Sequence, residues 1–206
     1  TLFAHQKEEF FTTNVEGTLH LFEKIRFHRA VVVSSQAATG PCVGSEDERD
    51  EECADFPLTW YGKSKLEMER RLLEKYSNRE YICLRPPMVL GPRDQATLPL
   101  FKLAQGPILV KPGLKTKVYS YIAVADLAEA IQSALAYKGG FQTLDHRTFY
   151  VASSERITDE HLMRTASKVS GRNGMLLPIP QLILKGVAFT LNTVPGMKDL
   201  IPSLSG

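Results

Sequence analysis

Cysteine is scarce in this chain: three in 206 residues, at Cys42, Cys53 and Cys83. An odd number cannot all pair within one chain, and the spacings match no metal-ligand set, so a disulfide framework and a zinc ribbon are both disfavoured. Reduced thiols in a cytoplasmic setting are the expectation. An excess of one charge is lacking too. A formal net charge of +2 gives no argument for nucleic acid. His5, His20, His28, His146 and His161 have no partners at metal or triad spacing. Long apolar runs are missing: the greasiest stretch, 175–194, is broken by Pro178 and Pro180 and carries Lys185. It is expected to be a helix packed on the core, the alternative being an amphipathic helix lining a pocket or lying on a membrane. No signal peptide is visible in Thr1-Leu2-Phe3-Ala4-His5. With 43% hydrophobic and 23% charged residues, the composition is that of a globular protein with a real core.

What is present reads as alternating helices and strands. Apolar residues from Phe10 to Ile25 predict a helix over 6–27, and the β-branched run predicts a strand over 29–35. Residues 40–58 have no periodicity and carry the acidic run Glu46-Asp47-Glu48-Arg49-Asp50-Glu51-Glu52. A patternless loop of that length is usually functional or mobile, and the charges themselves read as a solvated surface. A helix over 60–76 and a strand over 80–85 follow, the strand stopped by Pro86-Pro87. Further on, helices are predicted over 98–105, 124–137 and about 159–170, and strands over 117–122 and 148–152. Such alternation implies an α/β protein built on a parallel sheet.

The chemistry concentrates at Tyr61-Gly62-Lys63-Ser64-Lys65. A tyrosine and a lysine four apart stand on one helix face, which can place an ammonium beside a phenol oxygen. A unit charge at about 5 Å, with an effective dielectric of about 20, stabilises a phenolate by roughly 3 kcal/mol, against its desolvation. The expectation is a phenol made acidic by its lysine. Upstream, Ala30-Val31-Val32-Val33-Ser34-Ser35 reads as a buried strand ending in two hydroxyls. Taken alone, Tyr61 could be a half-buried aromatic at a helix start and Ser35 a turn serine. Together they suggest redox chemistry at a carbinol or carbonyl carbon.

Five segments in order carry a family resemblance: Asn14-Val15-Glu16-Gly17-Thr18, Val33-Ser34-Ser35 running to Gly40-Pro41, Tyr61-Gly62-Lys63-Ser64-Lys65, Leu84-Arg85-Pro86-Pro87-Met88-Val89-Leu90-Gly91-Pro92, and Val124-Ala125-Asp126-Leu127-Ala128. The chain resembles an extended short-chain dehydrogenase/reductase of the NAD-dependent epimerase/dehydratase group, and within it the 3β-hydroxysteroid dehydrogenases and dihydroflavonol reductases. The resemblance implies a Rossmann-like doubly wound sheet over about 1–90 and 118–152. It also implies a small mixed α/β substrate-binding lobe over about 91–117 and 153–206. The family's glycine-rich turn, which seats a pyrophosphate on a helix N-terminus, is not found. The chain is therefore expected to be a truncated form or a fragment holding the later part of the fold.

By the same resemblance, Tyr61 is the general acid/base and Lys65 holds the nicotinamide ribose. Ser35 bonds the substrate oxygen, and Asn14 either orders a water near the lysine or is a buried amide. Ser34, Pro86, Pro87 and Met88 are placed at the cofactor, and Thr39 and Met88 at the substrate. The cofactor is NAD or NADP; the part that would choose between them is not in the sequence. Asp126 reads as a charged residue at a helix start. Thr39 and Met88 stand where nucleotide-sugar epimerases often carry tyrosine and asparagine, so the leading expectation is oxidoreduction of a small apolar alcohol or ketone. A nucleotide-sugar epimerase or dehydratase is the runner-up, and a non-catalytic dinucleotide sensor the third reading. A homodimer through the helices starting near Gln6 and Trp60 is expected by analogy.

Overall fold

The structure is a computed structural model that describes residues 6–42, 48–95 and 97–180. It divides into two compact units, 1–89 with 121–154, and 90–120 with 155–206.

The first unit is organised by three strands: β1 (Ala30–Val33), β2 (Tyr81–Arg85) and a later parallel strand, Thr148–Tyr150. Their order is β1, β2, then Thr148–Tyr150, and both pairings are parallel, with Val33 opposite Leu84 and Arg85 opposite Tyr150. The central β2 is buried along its whole length, which is why it reads as a continuous apolar run. Its side chains alternate between two cores. Tyr81 and Cys83 pack with Val15, Leu19, Phe22, Met68 and Leu72 of the helical layer on one face. Ile82 and Leu84 pack with Phe141, Ile131 and Ala134 on the other. Helices cover both faces, so this unit is a Rossmann-like doubly wound α/β layer.

Helix formation over Lys7–Lys24 is as the apolar stripe predicts, with one interruption. α1 (Lys7–Phe11) runs into a π turn, Thr12–Glu16, and then into α2 (Gly17–Lys24). Ile25 is already extended, so the helix ends short of Phe27. α3 (Trp60–Tyr76) starts at the cap Thr59, whose Oγ1 accepts from the Gly62 N–H at 3.0 Å. The short strand β3 (Met88–Leu90) follows the double proline.

In the second unit, α4 (Leu98–Leu103) precedes β4 (Ile108–Pro112). β5 (Val118–Ala123) pairs antiparallel through Val118–Ser120 with β7 (Arg156–Thr158), β6 being the sheet strand Thr148–Tyr150 already described. α5 (Val124–Ala136) belongs to the first unit, and α6 (Asp159–Val169) to the second. Residues predicted to open a C-terminal helix instead form a strand, β8 (Met175–Ile179), parallel to β4 in register from Ile108–Met175 to Pro112–Ile179. Two prolines disfavour a helix there, and β4 offers Met175–Ile179 a ladder. The remainder of that prediction lies outside the described residues. Ala104, Leu109, Met163 and Ala166 form the second unit's core. Beside it the almost fully buried Lys111 donates to Glu160 Oε1 at 2.7 Å.

Candidate active site

The end of β1 and the start of α3 form the site. Beyond Val33 the chain bonds onto the end of β2, Ser34 N–H to the Leu84 carbonyl at 2.7 Å and Gln36 N–H to the Pro86 carbonyl at 2.9 Å. Ser35 caps a single 3-10 turn, Gln36–Ala38, its Oγ accepting from Ala37 N–H at 3.2 Å. That turn is where α3 makes contact. A Cβ at Gly62 would lie 2.1 Å from the Ala37 carbonyl oxygen, so only glycine lets the helix come this close.

This approach brings the Tyr61 phenol near enough to the Ser35 side chain for that side chain to pull against the upward shift of the phenol. One turn along, Lys65 Nζ donates to the Val33 carbonyl at 3.0 Å and lies 5.9 Å from the centroid of the Tyr61 ring. Ser35, Tyr61 and Lys65, separate in sequence, therefore meet at the carboxyl end of β1, where open α/β sheets bind their ligands. Phe10 backs Tyr61 edge-on, with ring centroids 6.1 Å apart.

Asn14 sits on the π turn and is buried. Its Nδ2 donates to Ser64 Oγ at 2.9 Å, and Ser64 Oγ donates to the Tyr61 carbonyl at 2.8 Å. Asn14 is thus a buried amide bonded to a side chain of α3. The π turn itself, a local widening that often marks functional sites, is what re-aims this residue toward α3.

The electrostatic expectation needs correction. Burial pushes the Tyr61 phenol above its ordinary value, and the Ser35 hydrogen bond only partly opposes that. Lys65 is not among the groups that shift the phenol, and its ammonium donates to the Val33 carbonyl. Burial also lowers Lys65 below its ordinary value, against the opposing pull of Glu69 and Cys83.

Thr39 is corrected as well. It is 0% exposed, and its hydroxyl donates to Asp55 Oδ1 at 2.7 Å, accepts from Arg85 at 3.0 Å and touches the Tyr150 hydroxyl. Its side chain has no group left for a substrate. It belongs instead to a buried ionic cluster, in which Arg85 bonds Asp55 (2.8 Å through Nη1 and through Nη2) and Glu69 (3.1 Å through Nε, 2.6 Å through Nη2). Sequence reading missed this cluster; a lone arginine inside the apolar strand Tyr81-Ile82-Cys83-Leu84-Arg85 was the available signal. Gly62, Ser64 and Thr59 were missed too, and their signal was only their position inside the tyrosine–lysine helix. Pro86 is buried, whereas Pro87 and Met88 are half-buried where β2 gives way to β3.

A nicotinamide riboside fits these residues on two counts. Lys65 makes no ion pair among the described residues, so its remaining N–H groups can meet ribose hydroxyls. Ser34 Oγ, beside it at the end of β1, is buried with no protein partner.

The chain belongs to the NAD-dependent epimerase/dehydratase family, whose model matches residues 3–144. Its fold is similar to that of UDP-glucuronic acid 4-epimerase from Bacillus cereus in complex with NAD (TM-score 0.70, 20% identity, 87% of this chain and 60% of that one). It is likewise similar to RMD from Pseudomonas aeruginosa complexed with NADPH (TM-score 0.71, 17% identity, 84% and 63%). Among curated proteins, y4nL of Sinorhizobium fredii (strain NBRC 101917 / NGR234), itself uncharacterized, is 33% identical over 99 residues, 45% of this chain and 28% of that protein. The chain thus spans about three-fifths of those solved structures. No helix among the described residues is long and apolar enough to cross a membrane.

Proposed function

We propose that this chain carries the catalytic residues of an NAD(P)-dependent enzyme of the short-chain dehydrogenase/reductase type that interconverts an alcohol and a ketone. The observation that carries the reading is the seating of the start of α3 on the Ser35-capped turn at Gly62, which sets Tyr61 beside Ser35 with Lys65 one helical turn away, bonded to the end of β1. Burial holds the phenol protonated through the neutral range. Tyr61 therefore starts as the acid: it gives its proton to a substrate carbonyl oxygen as that oxygen gains charge, and takes it back in the oxidative direction. Ser35 donates to the same oxygen and steadies the developing alkoxide. Lys65, anchored on Val33, supplies donors for ribose hydroxyls. When bound, the dinucleotide supplies or accepts the hydride.

A nucleotide-sugar epimerase is supported about equally. The matched family is named for NAD-dependent epimerases and dehydratases, and an epimerase needs the same tyrosine for an oxidation followed by a reduction on the other face. Thr39 is engaged by the ionic cluster and so gives no support to an apolar substrate. Full-length protein given NAD or NADP and panels of apolar alcohols and UDP-sugars separates the two. A dehydrogenase changes nicotinamide absorbance stoichiometrically, whereas an epimerase inverts a sugar carbon with no net change. Tyr61→Phe should reduce either turnover by about 10²–10⁴-fold with dinucleotide affinity retained. Undiminished turnover removes Tyr61 from the chemistry.

A further inference from the structure

Asn173 and Gly174 form the one asparagine–glycine pair in the sequence. In such a pair the backbone nitrogen of the second residue can reach the side-chain amide carbon of the first, and glycine has no Cβ to obstruct the approach. The pair sits between α6 and β8, within the second unit. Asn173 is exposed, and with Gln105, Gly106, Pro107, Arg172 and Gly174 it lines an open cleft of about 440 Å³, so water reaches it freely.

Attack needs a free Gly174 nitrogen, and the fold engages that nitrogen. α6 ends in a left-handed Gly171, φ +71, with Gly171 N–H donating to the Lys168 carbonyl at 2.9 Å and Arg172 N–H to the Ser167 carbonyl at 3.0 Å. These are the two bonds of a Schellman stop, and they turn the chain back over the last turn of the helix. There Gly174 N–H donates to the Ser167 hydroxyl at 3.1 Å. Ser167 is 1% exposed, so that hydroxyl is held in place. Met175 N–H, next along, donates to the Pro107 carbonyl at 2.9 Å and opens the ladder between β8 and β4. Gly174 is also wedged, since a Cβ there would lie 2.8 Å from Leu109 Cγ and 2.9 Å from the Gly106 carbonyl oxygen. The Gly174 nitrogen is therefore freed only when this turn opens locally and the Ser167 bond breaks.

We propose that Asn173 is a deamidation site gated by the Ser167 hydroxyl. In the opened turn the Gly174 nitrogen bonds to the Asn173 side-chain carbon. The bond from that carbon to the side-chain nitrogen breaks, and the Gly174 proton leaves with it as ammonia. The cyclic imide that remains takes up one water at either of its carbonyls, giving aspartate or isoaspartate, and no oxidant or reductant is involved. Isoaspartate adds one atom to the backbone just ahead of Met175, so the register of Met175–Ile179 on β4 is what the modification disturbs.

The experiment ages full-length protein in mildly alkaline buffer, with samples taken over time and digested briefly with trypsin. Cleavage after Arg172 and Lys185 releases peptide 173–185. The product is that peptide with O in place of NH, its aspartate and isoaspartate forms separated chromatographically. Three samples are compared: the folded parent, folded Ser167→Ala, and the parent unfolded in urea. The folded parent should react more slowly than the unfolded chain. Ser167→Ala should react about 2- to 10-fold faster than the folded parent, the factor set by one lost hydrogen bond. Should Ser167→Ala fail to fold, the parent still decides: its slowing relative to urea should match the protection of the Gly174 amide in hydrogen exchange. Equal rates in the folded parent and in urea would overturn the proposal. So would a folded Ser167→Ala no faster than the parent, a mismatch with Gly174 exchange, or earlier conversion at Asn14, Asn78 or Asn192. None of these readouts depends on turnover.

Discussion

Lys65, on α3, donates its Nζ to the carbonyl of Val33, the last residue of β1, at 3.0 Å. That one bond ties the helix carrying the tyrosine to the strand end carrying the serines. It also leaves the ammonium half-buried with no carboxylate in ion-pair range among the described residues, and burial lowers its pKa. Below that lowered value the folded state holds an under-solvated charge, so the lysine works against stability at neutral pH and less so as the solution becomes alkaline. Lys65→Met should thus leave stability at pH 7 unchanged or higher by denaturant unfolding. Turnover should fall about 10²-fold or more, since preorganised donors to the nicotinamide ribose are lost. A stability loss as large as the activity loss would make the lysine a structural residue instead.

Asn14 and Ser64 test the support beneath Tyr61. Their 2.9 Å bond is buried, and the Ser64 hydroxyl in turn donates a hydrogen bond to the Tyr61 carbonyl. Removing one partner leaves the other unsatisfied, at a cost of about 1–3 kcal/mol. Asn14→Ala and Ser64→Ala should each fall in that range, and the double variant should cost less than their sum. A double-mutant cycle by urea unfolding reads the coupling, expected at about 0.5–3 kcal/mol. Strict additivity would mean that the pair does not interact.

How far these contacts could be read in advance differs by residue. The tyrosine–lysine pair was legible because helical spacing alone puts i and i+4 on one face. The central strand was legible because burial on both sides demands a continuous apolar run. Asn14 could not be paired with Ser64 from periodicity, since they lie 50 residues apart and meet only because a π turn shifts the helix face. Thr39 looked like a ligand contact by position, but the carboxylates needed to hold Arg85 inside the sheet recruited its hydroxyl. β4 was hidden because a lysine, Lys111, occupies an inward position of the strand, and its compensation by Glu160 appears only in three dimensions.

The Arg85 cluster predicts an acid limit. Burial by itself would raise Asp55 above its ordinary 3.8, but the Arg85 and Thr39 hydrogen bonds and the Arg85 charge outweigh it and the net direction is down. A carboxyl with a depressed folded pKa binds fewer protons folded than unfolded, so it contributes stability above about pH 4 that is lost as pH falls through and below that value. Asp55→Asn should be less stable than the parent at pH 7, and the gap should narrow from pH 5 to pH 3 in urea titrations. Arg85→Met, which strands two carboxylates, should cost about 3–5 kcal/mol at pH 7. A gap between parent and Asp55→Asn that widened on acidification would show that the carboxylate is not held by the arginine.

Gly62→Ala sets a local rule against a tertiary one. In a helix interior, alanine is better than glycine by about 0.8–1.0 kcal/mol, so propensity predicts a more stable protein. The new methyl, however, would lie 2.1 Å from the Ala37 carbonyl oxygen and 3.1 Å from Pro57 Cβ. The first obstacle is backbone, fixed by the Ser35-capped turn, and cannot rotate away. α3 must therefore retreat from the turn, and with it Tyr61 from Ser35. The expected result is a net destabilisation of about 1–3 kcal/mol, the range found for overpacked sites. Turnover should fall further than Ser35→Ala alone lowers it, because both partners of that contact are displaced. Thermal unfolding and kinetics on the same preparation decide the matter. A Gly62→Ala protein that was more stable and fully active would show that the helix does not rest on the turn, and the geometry assigned to Tyr61 would fail with it.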